Sequence, residues 1–211
     1  MDEAMAVASN ALQTANRIDE SESSRAFAYV SVALARVGKI AEAQAAMGKI
    51  DISKYLPWPQ AEVAAALAQA GRIREAIKLE LKNRSSGEPD QRAWRAIAEH
   101  LGPELNLDEA LALLNSPGQK ARFLADCATR LSRQGEGDEA RKLLSQAHSL
   151  SEAITEDEEK SKILARIAEA WAQMLEFYRA KQIANLCARA DDKLFAYIAI
   201  LREHSTQQTK Q

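Results

Sequence analysis

The chain has 211 residues, with 28 Lys+Arg against 30 Asp+Glu and a formal net charge of -2, which argues against a general nucleic-acid binder with its basic excess. Eight glycines, five prolines and 5% aromatic residues are too few for a turn-rich all-β fold, and abundant alanine with scarce valine favours helix. No apolar run approaches the ~18 residues of a membrane span, and the acidic start Met1-Asp2-Glu3-Ala4 lacks the basic start and apolar core of a signal peptide, so the expected location is cytoplasmic.

In chain order, Asp2-Glu3-Ala4 matches the second helix of a helix pair met repeatedly further on. Phe27, Val30 and Leu34 fall at i, i+3 and i+7, one face of a helix that Gly38 ends. Ile40, Ala43, Met47 and Ile50 mark its partner. Pro57 and Pro59 break the chain before a second copy, Ala65 to Ala76, with Gly71 at the corner. Pro89 can open the next helix, where Trp94, Ile97 and Leu101 share a face and Gly102-Pro103 stops it early. Leu124, Cys127 and Leu131 follow, with Gly135 as the stop and Leu143, Leu144 and Ala147 on the partner. The extra residues from Leu150 to Ser161 lengthen that partner and its loop. Thr155-Glu156-Asp157-Glu158 reads as a capping box opening the next helix. Leu164, Ile167 and Trp171 line that helix, and Ile183, Ala184 and Cys187 line its partner. The corner between them, Met174-Leu175-Glu176-Phe177, has no stop signal. Lys193 to Arg202 forms a last helix, apolar nearly all round, before a polar tail.

The anchors Leu34, Leu67, Leu101, Leu131 and Trp171 are separated by 33, 34, 30 and 40 residues, the size of a helix–turn–helix repeat. Two columns of small residues run through the copies. Ser31, Ala64, Ala98, Ala128, Ala168 and Ala199 occupy the first helices. Ala4, Ala43, Ala76, Ala110, Ala140 and Ala180 occupy the second. Small side chains at matching positions let two helix axes approach closely. The expected fold is all-α, an α-solenoid of about five to six helix–turn–helix repeats over residues 1–203, followed by a polar C-terminal tail at 204–211.

This frame resembles the tetratricopeptide repeat, whose pattern is W-x2-L-G-x2-Y followed by A-x3-F. Trp94, Ile97, Ala98 and Leu101, then Ala110 and Leu114, stand at those positions; Phe27, Val30, Ser31, Leu34, Ala43 and Met47 do so likewise. The family's glycine is Ala or Ser here and its tyrosine is Leu or Trp. The resemblance implies a right-handed superhelix that binds peptides or protein domains on its concave face. It also implies which columns face that groove. One holds Arg25, Trp58, Arg92, Arg122, Lys162 and Lys193; the others are those of Ala28, Val32, Ala35 and Arg36, adding Arg95, Glu99, Thr129, Arg133, Glu169 and Gln173.

Such cations could form a rail that grips an acidic peptide. Carboxylates precede several of them, among them Glu158 and Glu159 before Lys162, so local ion pairing is the competing reading. No catalytic constellation, phosphate loop or zinc-ligand spacing is present, and Cys127 and Cys187 fall in apolar columns. The expected function is therefore a non-enzymatic interaction scaffold for a peptide or protein, without cofactor, metal or membrane. The alternatives are a pentatricopeptide-like RNA binder and an accessory region of a larger protein. The apolar last helix, through Leu194, Phe195, Ile198 and Leu201, is expected to continue into further repeats or to dock on a partner or a second copy.

Overall fold

The structure is a computed structural model that describes residues 2–18, 20–50, 58–82, 91–101 and 106–209. Among these residues the regular secondary structure is all α-helix, in twelve helices with no strand. They fall into two compact units, Met1–Leu113 and Leu114–Gln211.

The first unit holds α1 (Asp2–Ala15), α2 (Glu20–Arg36), α3 (Ile40–Met47), α4 (Trp58–Gln69), α5 (Ile73–Lys82), α6 (Gln91–His100) and α7 (Leu107–Leu113). Here α2, α4 and α6 pack side by side, α3 and α5 pair with α2 and α4, and α1 lies on α2. The second unit holds α8 (Pro117–Arg133), α9 (Gly137–Glu152), α10 (Asp157–Gln173), α11 (Phe177–Asn185) and α12 (Ala190–Gln208). Again α8, α10 and α12 pack side by side, while α9 and α11 pair with α8 and α10.

The corners have one chemistry. Gly38, Gly71 and Gly135 sit at φ 82°, 78° and 85°, the left-handed region that glycine enters without a Cβ penalty. At each, the residue after the glycine donates back to the anchor: Lys39 N–H to the Leu34 carbonyl, Arg72 N–H to that of Leu67, and Glu136 N–H to that of Leu131, all at 2.9 Å. This Schellman pairing satisfies carbonyls the helix end leaves open. The corner without a stop signal uses the same device. Leu175 has φ 61°, the one positive-φ non-glycine among the described residues, and Glu176 N–H donates to the Trp171 carbonyl at 3.1 Å. Tertiary packing of α10 on α11 overrides the leucine's preference at a cost of roughly 1–2 kcal/mol.

Both small-residue columns are buried, with Ser31, Ala64, Ala98, Ala128 and Ala168 on the first helices and Ala43, Ala76, Ala110, Ala140 and Ala180 on the second all at 0% exposure. The buried Ser31 hydroxyl is satisfied within its own helix, donating to the Ala28 carbonyl at 2.8 Å. Large side chains fill the space beside the columns. Leu34, Val63, Leu67, Ile77 and Ile97 are fully buried in the first unit, and Phe123, Leu124, Leu144, Ile163 and Ile167 in the second. Each contributes about 1.5–3 kcal/mol by leaving water.

Three expectations change. The predicted capping box at Thr155 does not form, because the N-cap of α10 is Glu156 and no side chain accepts there. A capping box forms instead at α8, where Ser116 accepts from Gln119 N–H at 3.2 Å, Gln119 accepts from Ser116 N–H at 3.2 Å, and Pro117 follows the cap. Ala4 is exposed, unlike the rest of its column. Finally, α12 continues to Gln208, so most of the polar segment 204–211 is helical. Pro57, Pro89 and Gly102-Pro103 lie outside the described residues. The lengthening at Leu150 to Ser161 is present, as α9 runs to Glu152 and α10 starts at Asp157.

Candidate functional site

The predicted cations lie on the first helices of each unit. In the first unit Arg25 and Arg36 are exposed on α2, and Arg92 and Arg95 are exposed on α6. Trp58 is the first residue of α4, and its side chain lies outside the described ones. Glu62 of α4 joins two of the cations. Arg36 donates to it at 2.9 Å, and Arg92 lies 3.5 Å from its other oxygen. The Glu62 side chain is 19% exposed, while those of Arg36 and Arg92 are 68% and 80% exposed. One sheltered carboxylate thus anchors two exposed guanidiniums from neighbouring helices, α2 and α6.

In the second unit Arg122 and Arg133 lie on α8, half-buried and exposed, and Lys162 and Lys193 lie half-buried on α10 and α12. Lys162 donates to Glu158 at 2.7 Å, one helical turn back. Arg189 reaches the same carboxylate at 2.8 Å. The Lys162 hydrogen bond, and then the charge of Arg189, hold the Glu158 carboxyl below the usual range. Local pairing, the competing reading for this column, is therefore present at Lys162. The Lys193 ammonium opposes the rise that burial imposes on the Cys187 thiol.

Several columns expected in the groove are buried. Ala28, Val32 and Ala35 are at most 6% exposed. The Thr129 hydroxyl turns back to the Ala125 carbonyl at 3.0 Å. Glu169 belongs to a buried ionic cluster that the motifs did not indicate. Arg166 of α10 donates to Asp126 of α8 and to Glu169, and all three residues are at most 7% exposed. Arg202 of α12 adds a contact 3.6 Å from Glu169. The Arg166 pKa is raised: desolvation works against the charged form, but the two carboxylates outweigh it. The signal was available, because Asp126 and Arg166 each stand five residues before an anchor, Leu131 and Trp171, as opposite charges one repeat apart.

Cys127 and Cys187 are buried free thiols. Burial pushes Cys127 up to about 12. Among the described residues no group of three or more His, Cys, Asp or Glu is placed to hold a metal ion. None of the described helices is long and apolar enough to cross a membrane. No family model matches the chain, and no curated protein matches it either.

Proposed function

We propose that both units are runs of tetratricopeptide-like repeats, five to six over the chain, each wound as a right-handed α-solenoid. The chain acts as a non-enzymatic scaffold in the cytoplasm and binds an acidic peptide or protein segment through the cations of its first helices. The observation that carries this reading is the convergence of Arg36 and Arg92 on Glu62. Two exposed guanidiniums from different helices are held at one point by a carboxylate. A ligand carboxylate could replace Glu62 with little rearrangement, because guanidinium forks favour that geometry.

The test uses fluorescein-labelled acidic, neutral and basic peptides and a single-stranded RNA, read by polarisation at several salt concentrations. Wild type should bind the acidic peptide, less tightly as salt rises. Arg36→Glu with Arg92→Glu should abolish that binding, and Glu62→Gln should strengthen it several-fold by removing a carboxylate that competes with the ligand. Equal binding by wild type and the charge-reversed variant would reject the site. Salt-dependent RNA binding without peptide binding would reject the class of ligand.

A further inference from the structure

The second helices share one register, so their outer faces can be compared position by position. Counted from the corner residue, Gly38, Gly71, Gly135 or Leu175, the column of Ala43, Ala76, Ala140 and Ala180 falls five residues on in each copy. Positions three, seven and eleven residues on share one face at helical spacing. After the three glycine corners this face is small or polar. Ala41, Arg74 and Asp138 stand three residues on, and Lys49, Lys82 and Gln146 eleven on, all exposed. After Leu175 the same two positions hold Tyr178 and Leu186, 76% and 55% exposed, with Gln182 between them. Leu175 itself, 48% exposed, adds a third apolar side chain at the corner.

This exposure does not come from the place of α11 in the chain. The α10–α11 pair follows α9, and the outer strip of α9 is open all the same, with the Asp138 and Lys142 side chains 96% and 73% exposed. A following pair therefore leaves this face in solvent, and the apolar residues of α11 sit where the other three copies meet water. Leu175 also holds the left-handed backbone that glycine supplies at the three matching corners. With its side chain half in solvent, the strain points to a use outside the core.

We propose that the outer face of α11 docks an amphipathic, acidic helix from a partner protein. Tyr178, Gln182 and Leu186 form a row at i, i+4 and i+8, the kind of ridge that packs into the groove of another helix. Tyr178 and Leu186 stand about 12 Å apart along the axis, so apolar anchors two turns apart on the partner would meet them. Charge sets the sign of the partner. α11 carries two exposed cations, Arg179 and Lys181, and no carboxylate. The Glu176 carboxylate at its N-cap is held by Arg141 at 2.9 Å. A helix with Glu beside its apolar stripe is therefore matched, and a basic one is repelled. A second copy is a poor fit, because face against face it would oppose the same cations. The proposal uses the repeat register but not the cationic site on the first helices.

The test uses a fluorescein-labelled designed helix with Leu at positions two turns apart and Glu beside them, read by polarisation. The controls are the same helix with Lys for Glu, a scrambled sequence, and vesicles of phosphatidylcholine with phosphatidylserine. The parent protein carries Arg36→Glu with Arg92→Glu, so the cationic site cannot contribute. It should bind the Glu helix at least about tenfold more tightly than the Lys or scrambled one. Leu175→Gly, Tyr178→Asp and Leu186→Gln together give α11 the outer residues of α9. That variant should melt no lower than its parent, since the corner strain is relieved, and should lose at least about tenfold in affinity. Equal binding by parent and variant, or binding to none of the peptides, would overturn the proposal. So would capture by the vesicles and by no peptide. A variant that melts well below its parent would overturn it too, because the three side chains would then serve the fold. Concentration-dependent dimerisation that the variant abolishes would overturn it by giving the face to a second copy.

Discussion

Arg166→Met removes a cation that Asp126 and Glu169 share. The side chains of Asp126, Arg166 and Glu169 are 2%, 7% and 7% exposed, so the variant leaves two carboxylates largely out of water. Breaking a buried pair from one side costs about 3–5 kcal/mol. Glu169 keeps Arg202 at 3.6 Å, a cation that is 59% exposed, so the low end, about 3 kcal/mol, is expected. For a unit of roughly 100 residues that is a fall in Tm of about 12 °C or more. Urea titrations of wild type, Arg166→Met and Asp126→Leu/Arg166→Met measure it. The double variant should be more stable than the single, because it removes one of the two buried carboxylates as well. The penalty also has a pH sign. Without Arg166, the buried carboxyls lose a cation that favours their charged form, so burial favours protonation. A raised carboxyl is a cost at neutral pH that disappears as pH falls through its folded value. The gap between wild type and Arg166→Met should therefore narrow in acid. A single-variant cost below about 1 kcal/mol, the size of an exposed pair, would refute the argument.

Three further outcomes are expected. Ala140→Leu, at a residue with 0% exposure, should overpack α8 against α9 and cost about 1–3 kcal/mol; an unchanged melting temperature would show that the helices can separate freely. Gly135→Ala should cost about 1–2 kcal/mol from backbone strain alone, since a Cβ there meets nothing within 4 Å and φ is +85°; a thermal melt decides it. Cys127, with its pKa near 12, should react with a thiol reagent at pH 8 at least about 1000-fold more slowly in the folded chain than in urea. Rapid labelling of native Cys127 would contradict its burial.

The helix pairs were legible because their signals are local. A glycine after a helix needs only its own backbone to declare a left-handed corner, and Gly38, Gly71 and Gly135 adopt one. Leu175 adopts the same corner without any sequence cue, because packing of the neighbouring helices imposes it. The capping box shows the limit of short motifs. Thr155 lies one residue before the true N-cap, Glu156, while Ser116 with Gln119 forms the box at the start of α8. The cations could be named from the repeat register, yet their partners could not. Glu62 reaches Arg36 and Arg92 from a different helix. The Asp126–Arg166 pair joins residues 40 apart. A carboxylate in a helix reads as solvated until the adjacent helix is known. The family resemblance puts Glu169 in an open groove, whereas α10 turns it inward.

The way the helices choose their neighbours also sets a tempo. The principal contacts in each unit link a helix to the next one along the chain or to the one after that. Assembly of either unit therefore closes only short stretches of chain, and the entropy lost before the first favourable contact is small. Topologies of this kind reach the native state in microseconds to milliseconds. Several pairs, such as α8 with α9 or α4 with α5, offer alternative starting points. A variant that damages one corner should slow the route through that pair while another carries the flux.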